Sequence, residues 1–160
     1  MATKNNNLSD YKKDTLPNVS NLKFGIVVSQ WNKEITDGLF NGDYSTLIDF
    51  GVLEKNIKKL EVHGSFELIF GTNILSRKGV DAIICLGSVI QGETKHFDYV
   101  CQGVTNGIKD LNISLDIPVI FGVLTDNTMD QAINRSGGKH GNKGVEAAIT
   151  AIKMADLNQN

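Results

Sequence analysis

The chain has 160 residues, a formal charge of −2 and a hydrophobic fraction of 41%. These values are typical of one globular domain with a buried core, and they give no positive field that would attract nucleic acid or an anionic membrane. No stretch reaches the ~20 apolar residues that a membrane-spanning helix needs, and residues 1–20 are polar, without the apolar run of a secretory signal. We therefore expect a cytoplasmic protein that acts on small molecules.

Residues 1–20 show no periodicity and are interpreted as a flexible arm, which leaves a single domain over residues 21–160. From about residue 22, short β-branched segments alternate with longer helical patterns, which is typical of βα units and a parallel sheet. The predicted strands are residues 23–29, 57–63, 81–88 and 118–125. The predicted helices cover residues 35–50, 66–75, 94–115, 127–135 and 143–157, with a glycine-rich connection before the last.

This order predicts an α/β fold, a three-layer flavodoxin-like sandwich with a four-stranded parallel sheet. Gly51 and Gly79 are expected to end the first two helices, whereas Gly103 and Gly107 weaken the prediction of the third through their low helix propensity. Folds of this kind bind ligands outside the carboxyl ends of their strands. The segments that follow the strands therefore hold the candidate site residues.

The first two strands are followed by an aromatic and an acidic residue. Trp31, the single tryptophan, follows the first strand, where it either serves a ligand or folds over the core. Gly64 and Ser65 follow the second strand and lead into a helix with Glu67 in its first turn. This carboxylate either contacts a ligand or only compensates the helix dipole.

The third strand leads through a glycine-flanked loop, residues 87–95, into a helix whose N–H groups and dipole favour a phosphate. His96, placed one turn into the predicted helix, could exchange protons at neutral pH, although such a histidine is also often structural. After the fourth strand come Arg135 and a cluster of Lys139, His140 and Lys143. These cations either hold a phosphate or simply lie on a solvent-exposed helix end.

Several better-known sites do not fit the sequence. The first strand is not followed by Gly-x-Gly-x-x-Gly, the glycine-rich residues 137–144 do not form a Walker loop, and the strand ends lack the acidic residues of a phospho-receiver domain. The histidines and cysteines have no metal-binding spacing. Cys85 and Cys101 are interpreted as reduced packing residues.

Three motifs occur in order: Gly-Ser-Phe-Glu at residues 64–67, Gly-Glu-Thr-Lys-His-Phe-Asp-Tyr-Val at residues 92–100 and Gly-Asn-Lys-Gly at residues 141–144. Together they resemble the 6,7-dimethyl-8-ribityllumazine synthase family, over residues 22–157. The resemblance implies condensation of 5-amino-6-(D-ribitylamino)uracil with 3,4-dihydroxy-2-butanone 4-phosphate in riboflavin biosynthesis, without a metal or other cofactor. The alternative is a non-catalytic relative that holds a flavin or lumazine.

The resemblance also implies residue roles. His96 is expected to be the proton donor, and Lys143 a supporting charge. Glu93, Thr94 and Arg135 are expected to bind the phosphate of the sugar substrate. A larger group is expected to hold the pyrimidine and its ribityl chain: Trp31, Ser65, Phe66, Glu67, Ser88, Val89, Ile90 and Phe121.

Three positions depart from the family pattern. Trp31 stands where phenylalanine is commoner, and His63 and Ile69 stand where proline is common, which relaxes the backbone around the ribityl-binding turn. The resemblance further implies a homopentamer with active sites between neighbouring subunits. Because the connection over residues 137–142 is short, we expect the pentamers to form an icosahedral 60-subunit shell. Riboflavin synthase is a candidate partner.

Overall fold

A computed structural model describes residues 19–159. Four main strands alternate with helices: β1 (Phe24–Ser29), α1 (Lys33–Asp49), β2 (Ile57–Val62), α2 (Leu68–Ser76), β3 (Ala82–Ile90), α3 (His96–Ser114) and β4 (Val119–Asp126). A short 3₁₀ helix, Glu54–Asn56, precedes β2. The chain continues through α4 (Met129–Arg135), β5 (Ser136–Gly138), β6 (Gly141–Asn142) and α5 (Lys143–Gln159).

The main sheet is parallel throughout and has the strand order β2-β1-β3-β4. One face packs against α1, α4 and α5, and the other packs against α2 and α3. Both faces are apolar because a parallel sheet covered by helices on each side is buried on each side. The predicted three-layer, flavodoxin-like α/β sandwich is confirmed.

Two predicted helix endings are also confirmed. Gly51 follows α1 with φ +94°, and Gly79 lies after α2 with φ +65°. Both values fall in the left-handed region that glycine adopts without a steric penalty, so these residues turn the chain back toward the next strand.

Several predicted boundaries were wrong. Strand β3 continues two residues past Ser88, and α2 begins at Leu68 rather than at residue 66. Helix α3 begins at His96, so this histidine is the first helical residue and not one turn inside the helix. The segment of residues 136–142, predicted as a connection, forms the antiparallel β5–β6 ribbon. Residues 1–18 of the predicted arm lie outside the described residues, and Val19 is buried in the core.

Glycines set the distances between helices. A Cβ on Gly103 would meet the ring of Phe66 at 2.7 Å, and a Cβ on Gly107 would overlap the side chain of Ile69. Both glycines are therefore packing positions of α3, against α2 and the segment that leads into it. Their low helix propensity, which weakened the sequence prediction, is outweighed by this close approach.

The Gly-Asn-Lys-Gly motif has a structural role that the sequence did not reveal. Asn142 Nδ2 donates to the carbonyls of Gly38 (2.9 Å) and Ser136 (3.1 Å), and its Oδ1 accepts from Gly144 N (2.8 Å). A Cβ on Gly144 would overlap the backbone carbonyl of Leu39. The motif therefore joins the β5–β6 ribbon to α1 at close range.

Candidate functional site

Trp31 is held at the carboxyl end of β1. Its backbone N–H donates to Ser29 Oγ (3.2 Å) and to the carbonyl of His63 (3.1 Å), which fixes the loop after β1 against the loop after β2. The indole is 63% exposed. It is therefore not folded over the core, and the alternative interpretation of this residue is wrong.

The Gly-Ser-Phe-Glu turn is held by a hydrogen bond between its first and last residues. Glu67 Oε2 accepts from the backbone N–H of Gly64 (2.9 Å), and Glu67 is the N-cap residue of α2. Phe66 rests on Gly103 and is still 54% exposed. Ser65 is buried, and its Oγ has no hydrogen-bond partner among the described residues. The turn thus presents an aromatic ring, a carboxylate and a buried hydroxyl together.

Asn32, to which the sequence pattern assigned no role, connects the end of β1 to β3. Its φ of 57° is left-handed, and its Nδ2 donates to the carbonyl of Ser88 (3.1 Å). The asparagine after the tryptophan was the available signal, because Asn adopts left-handed backbone more readily than most residues. Asn32 is therefore a supporting residue that ties the end of β1 to the end of β3.

The end of β3 is paired with a neighbouring strand on one side only. Its pairing with β1 stops at Leu86, whereas its pairing with β4 continues to Ile90. Backbone groups alternate in direction along a strand, and the bond from Asn32 shows that those of Ser88 face β1. The same alternation directs the backbone of Ile90 to that side and that of Val89 to β4. Ser88 is buried, and its Oγ also has no described partner.

The loop before α3 is exposed. Residues 91–96, which include Glu93, Thr94 and His96, are all exposed to solvent. Thr94 Oγ1 accepts a hydrogen bond of 3.4 Å from the backbone N–H of His96. The loop therefore leads directly into the positive end of a 19-residue helix, which suits an anionic ligand.

Arg135 is the last residue of α4, and its charge acts on Asp126, an acidic residue to which the sequence pattern assigned no role. Asp126 ends β4, burial raises the pKa of its carboxyl, and the positive charge of Arg135 opposes this rise. The Asp126 carbonyl accepts from Gln91 N (2.9 Å), which joins the end of β4 to the start of the exposed loop. The only sequence signal for Asp126 was its position at a strand end.

Phe121 and Lys143 lie elsewhere, along the outer side of the edge strand β4. Phe121 is paired with Cys85 in the middle of the sheet, several residues before the carboxyl end of β4. Both residues line a cleft of about 400 Å³ together with Asn112 and Met154. Lys143 Nζ also pairs with Glu146 Oε2 at 2.9 Å.

The predicted site residues thus fall into two groups. The carboxyl-end cluster is defined as Trp31, Ser65, Phe66, Glu67, Ser88, Val89, Ile90, Glu93, Thr94 and His96. The β4-edge cluster is defined as Phe121 and Lys143. Arg135 ends α4 and interacts electrostatically with Asp126, the last residue of β4. The fold of one chain brings the members of each cluster together, but it separates the two clusters across β4.

The described residues also limit other kinds of site. Residues 19–159 contain no group of three or more His, Cys, Asp or Glu side chains that could hold a metal ion. In the same part of the chain, no helix is both long and apolar enough to cross a membrane. Cys85 is buried beside Thr72 Oγ1 (3.0 Å), and burial raises the pKa of its thiol to about 12, in agreement with a packing role.

The fold defines an α/β protein of the flavodoxin-like class, with a candidate ligand site outside the carboxyl ends of its strands. The family described as 6,7-dimethyl-8-ribityllumazine synthase matches residues 21–159. The chain belongs to this family.

Individual relatives agree with the family match, and each carries the name 6,7-dimethyl-8-ribityllumazine synthase. The relative from Flavobacterium johnsoniae is 62% identical over 99% of this chain and 84% of its own length. The relative from Christiangramia forsetii is 61% identical over 98% of this chain and 95% of its own length. A relative from Phocaeicola vulgatus is 54% identical over 99% of this chain and 95% of its own length.

Proposed function

We propose that the chain condenses 5-amino-6-(D-ribitylamino)uracil with 3,4-dihydroxy-2-butanone 4-phosphate to give 6,7-dimethyl-8-ribityllumazine, phosphate and water in riboflavin biosynthesis. The observation that carries this proposal is the carboxyl-end cluster. It combines two exposed aromatic rings, a half-paired strand edge and a histidine at the start of a long helix. These features provide a place to stack a planar ring, groups to recognise its polar edge and a proton donor near an anion-binding helix end.

The pyrimidine is proposed to stack on Trp31, because indole offers a large apolar face to a planar ring. Its polar edge would meet the backbone of Ser88, Val89 and Ile90. The backbone groups of Ser88 and Ile90 point toward the β1 side of β3, away from β4, and this direction supports the arrangement. The ribityl chain would lie along the Gly-Ser-Phe-Glu turn, where Ser65, Phe66 and Glu67 present polar and apolar groups side by side.

The phosphate of the sugar substrate is proposed to bind at the start of α3, near Glu93 and Thr94, with Arg135 as its counter-ion. Helix N-termini bind phosphates through their N–H groups and dipole, and a guanidinium adds paired, charge-assisted hydrogen bonds. The exposure of the loop that leads into α3 supports this assignment.

The chemistry requires repeated proton transfers. An amine of the pyrimidine attacks the ketone, and loss of water forms an imine. The carbinol carbon beside the phosphate-bearing carbon then loses a proton, the phosphate leaves with its bonding electron pair, and the resulting enol becomes a ketone. The second amine attacks this ketone and closes the ring with loss of water. His96 is proposed to donate and accept these protons. Arg135 and the helix end would stabilise the negative charge on the departing phosphate, with Lys143 as a supporting charge.

The two clusters belong to one active site if the site lies between subunits. We propose that the carboxyl-end cluster of one subunit meets Phe121, Arg135 and Lys143 of the next in a homopentamer. The separation of the clusters in a single chain supports this arrangement. We further propose an icosahedral 60-subunit shell, a cytoplasmic location and riboflavin synthase as a partner.

A direct assay tests the activity. Purified protein mixed with both substrates is expected to produce a lumazine, followed by its fluorescence, and omission of either substrate should abolish the signal. The alternative function is a non-catalytic flavin or lumazine carrier, which would purify with a bound yellow chromophore and would not turn over. His96 and Arg135 favour the enzyme, since stacking a flavin needs neither.

A mixing experiment tests the shared site. His96→Ala and Arg135→Ala proteins are refolded together, and each is also refolded alone. If His96 and Arg135 of one site come from adjacent subunits, about a quarter of the sites in random mixtures contain both residues. If both residues come from the same chain, no site in the mixture is complete. Activity no higher than that of the parents, with mixing verified by differential labelling, would contradict the shared site.

A further inference from the structure

The loops after β1 and β2 are bound to each other beyond the sheet. The two strands pair in register up to Ser29 and Val62, and two further backbone bonds join the loops that follow them. Gln30 N donates to the Val62 carbonyl (2.8 Å), and Trp31 N donates to the His63 carbonyl (3.1 Å). These bonds hold the two loops together where the side chains of Trp31 and His63 lie next to each other.

The two side chains meet ring against ring. Their centroids are 6.3 Å apart, and their planes are inclined by 62°, an edge-to-face arrangement that aromatic pairs favour. Both residues are exposed, so the indole is not held by a surrounding core. An exposed indole can sample several rotamers, and ordering it when a ligand binds costs conformational entropy. A neighbouring ring that restricts those rotamers reduces this cost.

We propose that His63 is a positioning residue that holds the indole of Trp31 in the orientation that receives the pyrimidine. The inference rests on the proposed role of Trp31 and adds a residue that acts on the pyrimidine through it. The backbone bond from Trp31 N ends on the carbonyl of His63, so a side-chain substitution leaves that bond in place. Removal of the imidazole therefore tests the ring contact separately from the loop connection.

The test compares His63→Ala, which removes the ring, with His63→Phe, which keeps a ring but removes the imidazole nitrogens. Trp31 is the only tryptophan of the chain, so time-resolved fluorescence anisotropy reports the motion of this indole alone. In the substrate-free protein, His63→Ala is expected to increase the amplitude of the fast local motion, and His63→Phe to restore the wild-type amplitude. Far-ultraviolet circular dichroism verifies that both variants are folded.

The steady-state constants give the second measurement. His63→Ala should raise the KM for the pyrimidine roughly 2- to 10-fold, the range expected for loss of an aromatic pair. The KM for the sugar phosphate and kcat should stay within about twofold, and His63→Phe should recover the pyrimidine KM. In a Trp31→Ala background, His63→Ala should have no further effect on the pyrimidine KM.

Both measurements are required. Unchanged indole motion in His63→Ala, or an unchanged pyrimidine KM, would overturn the inference, as would an equal rise of both KM values. The anisotropy needs no catalysis and distinguishes this outcome from failure of the proposed function. A wild-type protein that forms no lumazine contradicts the proposed function, whereas its indole motion still reports whether His63 restrains Trp31.

Discussion

The carboxyl-end cluster and the β4-edge cluster are built in different ways. The first is held by bonds between loops, such as those from Trp31 to His63 and from Asn32 to Ser88, and it leaves two aromatic rings exposed. The second lies in a cleft beside an edge strand, and its lysine is already paired with Glu146. A prearranged, open surface suits substrate recognition and proton transfer. A cleft at a sheet edge suits a contribution to a site that another copy completes.

The largest expected effect comes from the chemical part of the carboxyl-end cluster. His96→Ala should lower kcat by at least about tenfold, toward the 10²–10⁴-fold that general acid–base catalysis typically contributes. Because His96 is exposed, the free energy of unfolding should change by no more than about 0.5 kcal/mol. Lumazine fluorescence and thermal denaturation measure the two quantities.

His96→Gln is the matched variant, since it keeps a polar side chain that cannot exchange protons near neutral pH. It should lose as much activity as His96→Ala. A glutamine variant with wild-type kcat would remove His96 from the proton transfers and reduce the carboxyl-end cluster to a binding surface.

The second-largest effect is expected at Arg135, the last residue of α4. Arg135→Ala should raise the KM for the sugar phosphate about 10- to 100-fold, because charge-assisted hydrogen bonds to the phosphate are lost. The KM for the pyrimidine should change far less. Arg135→Lys should recover part of the loss, since lysine keeps the charge without the planar fork. An equal rise of both constants would show that Arg135 does not serve the phosphate.

Trp31→Ala should affect the two substrates in the opposite way, by raising the KM for the pyrimidine more than that for the sugar phosphate. Stacking of a base on an aromatic side chain is worth about 1–3 kcal/mol, so the pyrimidine KM should rise by an order of magnitude or so, with the sugar phosphate little affected. Trp31→Phe should retain most of the affinity. In the wild type, lumazine analogues should quench the single tryptophan, and binding without quenching would contradict the stacking role.

The carboxyl-end cluster was largely predictable from sequence, because parallel strands end at a common edge and polar or aromatic residues after them meet there. Trp31, Ser65 and Glu67 follow this rule. The exposure of Trp31 did not follow from the sequence, since burial of a loop side chain depends on its packing partners. The actual start of α3 at His96 was also missed, because helix boundaries depend on local capping geometry.

The β4-edge cluster could not be found by the same rule. Phe121 lies in the middle of β4, and its pairing with Cys85 places it far from the strand end. Lys143 begins a helix after a ribbon that the glycine-rich sequence did not predict. The resemblance to a family singled out Phe121, whereas Lys143 was also recognised as one of the cations that follow the fourth strand. The motif around Lys143 is explained in this chain by packing, because Asn142 and Gly144 join α5 and the ribbon to α1.

The smallest expected effect concerns Asp126, whose carboxyl lies close enough to Arg135 for their charges to interact. An ionised Asp126 competes with the phosphate for Arg135, so Asp126→Asn should lower the KM for the sugar phosphate about two- to threefold, the scale of a partly exposed ion pair. Burial raises the pKa of Asp126, and the wild-type carboxyl becomes neutral as the pH falls through that raised value. The KM of the wild type divided by that of Asp126→Asn, both for the sugar phosphate, should therefore be largest at high pH and approach one in acid. The phosphate titrates in the same way with both proteins, so its contribution largely cancels in this ratio. If Asp126→Asn instead raises the KM, Asp126 orients Arg135 for the phosphate rather than competing with it.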